Sequence, residues 1–123
     1  MRIGELARRS GFSVDTLRYY EKIGLIPKPA RDPGGRRDFG AADLRWLRFL
    51  ERLNATGMGI RDRLRYAALR EQGDATAGAR RDLLAAHRAA VAARIEELNE
   101  TLVLLDDKIA GYAQLDRRPC GRD

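Results

Sequence analysis

The chain opens with Ile3, Leu6 and Ala7, apolar residues that fall on one face of a helix, and Gly11 then breaks the pattern. A second helix is expected from Val14 to about Ile23. Ser13 is placed to cap it, Asp15 suits the positive end of its dipole, and Gly24 stops it. Two short helices joined through a glycine-bearing turn form the pattern of a helix-turn-helix. Pro27, Pro29, Pro33, Gly34 and Gly35 then argue against helix between residues 27 and 35. Gly34-Gly35 can form a tight hairpin turn, with Arg36, Arg37 and Phe39 on the returning strand. A basic hairpin at this place reads as a wing laid on nucleic-acid backbone, or else as an ordinary surface loop.

A third helix is expected from about Ala42 to Ala55. Trp46, Leu47, Leu50 and Leu53 make its apolar stripe, Leu44 and Phe49 widen it, and Gly57 ends it. A fourth starts near Gly59 and carries Ile60, Leu64, Ala67 and Ala68 inward, and Gly73-Asp74 is a joint. The last stretch is the most regular. Leu84, Arg88, Val91, Ile95, Leu98, Leu102, Leu105, Ile109 and Tyr112 alternate spacings of four and three, a heptad seam in which only Arg88 is polar. A helix from about Ala79 to Tyr112 is roughly 50 Å long at 1.5 Å per residue. No compact partner of that length exists elsewhere in the chain, so the seam is expected to pack against its copy in a second subunit, antiparallel or parallel. A hairpin folding back on itself would need a break, and neither Gly nor Pro occurs between residues 79 and 110.

These elements predict a mainly all-α protein: a winged helix-turn-helix over residues 1–73, a coiled-coil dimerisation helix over 74–116 and a flexible tail over 117–123. Charge supports the division. Residues 1–73 hold 16 Lys+Arg against 9 Asp+Glu, whereas residues 74–123 hold 8 against 9, so the net +6 comes from the first part. A basic domain followed by a neutral assembly element suits nucleic-acid binding. The alternative is a coiled-coil interaction module without specific DNA readout. Cys120 is the single cysteine, which excludes a disulfide framework and makes a reducing cytoplasm the default location. No apolar run approaches a membrane span. No nucleophile–base pair, carboxylate pair, metal cluster or phosphate-cradling glycine loop stands out, so neither catalytic residues nor a metal or cofactor is expected. His87 is read as a helix-surface residue.

Several strings are more specific. Ile3-Gly4-Glu5-Leu6-Ala7, Gly11-Phe12-Ser13, Thr16-Leu17-Arg18-Tyr19-Tyr20-Glu21 and Ile23-Gly24-Leu25-Ile26 closely resemble the MerR family of bacterial regulators. So do Gly35-Arg36-Arg37-Asp38-Phe39, Asp43-Leu44-Arg45-Trp46-Leu47 and Gly57-Met58-Gly59-Ile60, and the likeness continues along the terminal helix. Within the family, Arg37-Asp38-Phe39 of the wing, Arg45-Trp46, Gln72-Gly73-Asp74 and Lys108-Ile109-Ala110-Gly111-Tyr112 look most like the aldehyde- and thiol-stress-responsive branch. That branch typically carries a cysteine in its third helix. Arg52 takes its place here, so the resemblance does not carry thiol sensing by that residue. Gly40 and Gly59 stand where Ser or Thr usually starts a helix, a weaker cap by a few tenths of a kcal/mol.

The resemblance implies a homodimer on a pseudo-palindromic promoter site. It also implies bending and untwisting of an over-long promoter spacer so that RNA polymerase engages both promoter elements, which makes DNA deformation part of the mechanism. Arg18 and Tyr19 on the second helix are then expected to reach DNA, Arg18 at a phosphate or a guanine edge and Tyr19 at a phosphate. Thr16 and Asp15 lie near the helix start that enters the groove. Asp15 either accepts from a cytosine amine or only complements the dipole, and Ser13 bonds phosphate or only caps. Arg37 and Arg36 on the wing are phosphate candidates, and Lys22 and Arg2 are peripheral contacts. Tyr20 is expected to pack between helix and wing, and Trp46 in the core. Leu84, Val91, Ile95, Leu98, Leu102, Leu105 and Ile109 are the dimerisation residues. Cys120, flanked by arginines that favour its thiolate, is a candidate sensor thiol or an idle one. One cysteine per chain cannot build the metal loop of the metal-sensing relatives.

Overall fold

The computed structural model describes residues 1–117 and is mainly helical. It comprises two compact units, Met1–Ala85 and the stretch from Ala86 onward. In the first unit, α1 (Ile3–Ser10) and α2 (Val14–Lys22) precede an antiparallel hairpin of β1 (Ala30–Arg31) and β2 (Arg37–Asp38). Then come α3 (Ala41–Ala55), α4 (Ile60–Glu71), a 3-10 turn at Gly73–Thr76, and α5 (Ala77–Asp116), which continues into the second unit. The architecture is the expected winged helix-turn-helix followed by one long helix.

The helix ends explain themselves locally. Gly11 takes φ 81°, a left-handed conformation that lets its N–H close on the Ala7 carbonyl at 3.0 Å and end α1. Ser13 starts α2, its Oγ accepting the Thr16 N–H at 3.0 Å. Gly40 has no side chain with which to cap α3. Asp43 answers from inside the helix, its carboxylate accepting the Gly40 N–H at 2.8 Å, which is half of a capping box.

The hairpin turn differs in detail from the expected one. Ala30 pairs with Asp38 and Arg31 with Arg37. The Asp32 carbonyl accepts the Gly35 N–H at 2.9 Å, so Pro33 and Gly34 are the central turn residues, and Gly35 follows at φ 81°. A turn followed by one left-handed residue is a recognised hairpin loop. Proline selects it, because its ring fixes φ at the first central position.

The core of this unit gathers Leu6, Leu17, Leu25, Ile26, Phe39, Leu44, Trp46, Leu47, Leu50 and Ala67. Trp46 is a packing residue, as expected. Its indole N–H donates to the Leu25 carbonyl at 3.0 Å, and its ring stacks on Tyr66 at 5.7 Å with the Arg70 guanidinium 4.3 Å from its centre. Trp46 therefore fastens α3 to the segment that leaves α2 for the hairpin. Phe49 lies at the edge of the α3 stripe and is exposed.

In α4 the inward face is rotated from the expected one. Leu64 and Ala67 face the core, but Ile60 and Ala68 are exposed. The place sits instead with Arg63, which is buried and donates from Nε to the Met58 carbonyl at 3.1 Å. An arginine can occupy such a place when its guanidinium satisfies a backbone acceptor and its methylenes pack.

At the end of α4, Gly73 turns the chain at φ 81°. Thr76 Oγ1 lies 2.5 Å from the Leu69 carbonyl, and Arg80 donates to Thr76 Oγ1 at 3.1 Å and to the Gly73 carbonyl at 3.0 Å. Beyond Ala86 the helix leaves Ile95, Leu98, Leu102, Leu105, Ile109 and Tyr112 more than half exposed. Val103, Leu104 and Leu115 add to that apolar surface. No described helix is long and apolar enough to cross a membrane.

Candidate nucleic-acid interface

The side chains singled out from the sequence divide into those that hold the motif together and those left free to meet a ligand. Ser13 belongs to the first group: besides capping α2, its hydroxyl donates to Thr16 Oγ1 at 2.9 Å. Tyr20 also belongs there. Its ring meets Phe12 edge-on at 5.5 Å, and its carbonyl accepts the Leu25 N–H at 2.8 Å. Its ring also meets Tyr19 at 6.4 Å, and the side chain packs against the core cluster that includes Phe39. Gly24, at a left-handed φ of 84°, brings the chain back over the last turn of α2 so that the Leu25 N–H reaches the Tyr20 carbonyl.

The second group lies outward on α2. Asp15, Arg18, Tyr19 and Lys22 are exposed, Tyr19 by 56% despite its ring, so α2 buries Leu17 and turns a basic, phenolic face to solvent. An aromatic hydroxyl and cations on one exposed helix face are the donors that phosphate oxygens and base edges accept. Arg18, Lys22 and Arg37 line one open groove with Lys28 and Glu21. Lys28 carries no role in the sequence reading. Its signal was only its place between two prolines, which gives no face.

Electrostatics organise the hairpin. Arg37 Nη2 lies 3.1 Å from Glu21 Oε1, linking the returning strand to α2. The Glu21 side chain is only 8% exposed, whereas that of Arg37 is 41% exposed. The other carboxylate oxygen, Glu21 Oε2, is buried with no hydrogen-bond partner among the described residues. Asp32 orders the loop: Oδ1 accepts the Gly34 N–H at 2.9 Å and the Arg36 N–H at 3.0 Å, and Oδ2 takes the Arg2 guanidinium at 2.7 Å. The Arg36 N–H holds the Asp32 carboxyl below its ordinary pKa, with help from Arg2 and Gly34 and against partial desolvation. Arg2 is therefore tied to the hairpin loop, while Arg36 stays exposed at its tip. On the other strand, Arg31 Nη1 donates to the Gly35 carbonyl at 2.8 Å.

The structure thus brings Arg18, Lys22 and Arg37 together and adds Lys28 and Glu21 to them. Asp15, Ser13 and Thr16 stand at the start of α2. Among the described residues, no group of three or more His, Cys, Asp or Glu could hold a metal ion. Cys120 and the proposed tail beyond residue 117 lie outside the described residues.

Comparison with known proteins agrees with this geometry. Residues 2–39 match the family described as MerR family regulatory protein. The HTH-type transcriptional regulator AdhR of Bacillus subtilis (strain 168) is 38% identical over 88 residues, which are 72% of this chain and 63% of that protein. The HTH-type transcriptional regulator HmrR of Rhizobium leguminosarum bv. viciae is 36% identical over 120 residues, 98% of this chain and 92% of that protein. Among solved structures, HiNmlR, described as a MerR family regulator lacking the sensor domain and bound to promoter DNA, superposes with a TM-score of 0.81. It is 37% identical and covers 94% of this chain and 91% of its own.

Proposed function

We propose a mode of DNA binding for this chain, which belongs to the MerR family and is a DNA-binding transcriptional regulator, not an enzyme. In this reading α2 enters the major groove of promoter DNA and the hairpin lies on the adjoining backbone. The observation that carries it is the exposed face of α2, where Arg18, Tyr19 and Lys22 are exposed and Arg18 and Lys22 share a groove with Arg37 and Lys28. Arg18 reads a guanine edge or a phosphate. Tyr19, Lys22, Arg36 and Arg37 take phosphates, and Lys28 joins them. Thr16, Asp15 and Ser13 stand where a recognition helix first meets the bases. Asp15 can favour only a donor such as a cytosine amine, and Arg2 contributes at the periphery. HiNmlR, of the same fold, was crystallised bound to promoter DNA, which supports promoter binding by this fold.

We also propose that two copies pair through α5, with Leu84, Val91, Ile95, Leu98, Leu102, Leu105 and Ile109 as the seam. Two features support this reading. The seam residues from Ile95 onward are apolar yet exposed in a single chain. Charge also divides along the helix: before residue 95, Arg80, Arg81, Arg88 and Arg94 outweigh Asp82, whereas after it Glu96, Glu97, Glu100, Asp106, Asp107 and Asp116 outweigh Lys108. An antiparallel pair sets each basic half beside an acidic half, and a parallel pair sets like charge beside like. A twofold dimer would present two recognition helices to a pseudo-palindrome. Bending and untwisting of a long spacer, so that RNA polymerase reaches both promoter elements, is the mode of action we assign it. A regulator of bacterial promoters works where the DNA is, so the cytoplasm is its place.

Fluorescence anisotropy with DNA from upstream of its own gene, over a salt series, tests the reading. Specific binding should weaken with salt by a slope near 0.9 per neutralised phosphate. Salt-independent or sequence-independent binding would count against it.

A further inference from the structure

We propose that Glu21 is a positioning residue for DNA binding: from its buried place it holds the Arg37 guanidinium toward the backbone phosphate that Arg37 contacts. The proposal deepens the reading above and rests on it, because it takes Arg37 to be a phosphate contact.

A carboxylate in a groove of cations meant for a polyanion is at first sight a defect. Glu21 shares its groove with Arg18, Lys22, Lys28 and Arg37. If it were a bystander, its charge would repel phosphate and its removal would tighten binding. Its geometry points the other way. The side chain is 8% exposed, with Oε1 on Arg37 Nη2 at 3.1 Å and Oε2 buried with no hydrogen-bond partner among the described residues. Arg37 is thus the one cation bonded to this carboxylate among the described residues. Were Arg37 to swing fully onto DNA, it would leave a buried charge with no partner among the described residues, which is strongly unfavourable. Arg37 does not need to leave. A guanidinium carries five N–H donors in a rigid planar fork. One edge stays on Glu21, and the remaining donors of this partly exposed side chain are left for phosphate.

The same pair joins the two parts of the reading surface. Glu21 lies on the last turn of α2 and Arg37 on β2, sixteen positions later in sequence. Holding one to the other fixes the reach of the hairpin contact relative to the recognition helix. That spacing must match the distance between base edges and the neighbouring phosphates, or the two kinds of contact cannot form together.

The test uses the full chain and a duplex selected by the wild-type protein from a random-sequence pool. Binding of wild type, Glu21→Ala, Arg37→Ala and the double variant is followed over a salt series. Each single variant should bind about tenfold more weakly, the order of one charge-assisted contact. Each should also lower the salt slope by about 0.9. The double variant should lose no more than either alone. Glu21→Gln keeps the shape and one acceptor, so it should recover the slope. That recovery separates positioning from loss of fold, which circular dichroism of each variant checks. Tighter or unchanged binding by Glu21→Ala beside weakened Arg37→Ala overturns the proposal, as do fully additive losses or a Gln variant that recovers nothing. If Arg37→Ala itself leaves affinity and slope untouched, Arg37 is no phosphate contact, and the reading beneath the proposal falls first.

Discussion

Trp46→Phe tests how α2 and the hairpin are held to the rest of the unit. The substitution keeps an aromatic ring on α3 but removes the indole N–H. Trp46 is 6% exposed and its Nε1 donates to the Leu25 carbonyl at 3.0 Å. A buried carbonyl stripped of its donor costs about 1–3 kcal/mol. The smaller ring also gives up roughly 40 Å² of buried apolar surface, about 1 kcal/mol at 25 cal/mol per Å². Part of the stack with Tyr66 and of the Arg70 contact goes with it. The expected loss is thus about 2–4 kcal/mol. Urea unfolding at fixed protein concentration should show it as a lower midpoint at unchanged slope. Arg70→Ala is the control: it removes only the cation over the ring, for about 0.5–1 kcal/mol. A Trp46→Phe loss no larger than that control would refute the reasoning, because the Leu25 carbonyl would then not depend on the indole.

Other expected outcomes bear on assembly, readout and the hairpin. Leu98→Asp places a charge in the proposed α5 seam and should give a monomer by sedimentation equilibrium, at a cost of several kcal/mol. A variant still dimeric shows that the seam is elsewhere. Arg18→Ala should weaken selected-duplex binding by about 1–3 kcal/mol if it reads a base, and mostly lower the salt slope if it binds phosphate. Unchanged affinity and slope remove it from the interface. Asp32 has a carboxyl pKa below its ordinary value in the folded hairpin. Its contribution to hairpin order is therefore full above the unfolded pKa and is lost as pH falls through the lower folded one. Amide shifts of Gly34 and Arg36, followed by NMR in acid, should move together at that lower pH. Titration at the ordinary aspartate value would refute the assignment.

The broad plan was legible because it rests on local signals. Ser13, Gly11 and Gly24 mark the ends of α1 and α2 with residues whose chemistry admits few other roles. The heptad from Leu84 to Tyr112 announces a long helix because its period admits no other regular element. Periodicity gives a face and not a partner, and there the reading thins out. The inward turn of Arg63 could not be told from Ile60 and Ala68, because an arginine reads as solvent-facing until its acceptor, the Met58 carbonyl, is in place. The Glu21–Arg37 pair and the Trp46–Leu25 bond join residues distant in sequence, and no spacing rule connects them. Lys28 was invisible for the same reason: only the folded hairpin brings it beside Arg18 and Lys22. Asp43 was a smaller surprise, supplying from within α3 a cap that Gly40 does not.

The Asp32 carboxylate has a consequence for the speed of recognition. A hairpin with two residues in each strand would be fluid on its own. Asp32 draws the Gly34 and Arg36 amides and the Arg2 guanidinium onto a single side chain, so the loop is set before any duplex arrives. The entropy of ordering that backbone is spent in folding rather than at the moment of encounter. If the hairpin lies on DNA as proposed, what remains to be frozen on contact is the outer part of a few long cationic side chains. An encounter steered by the basic first unit then needs correct orientation but no loop rearrangement. Its association rate should be governed by long-range charge, and sequence discrimination by how long the complex lasts.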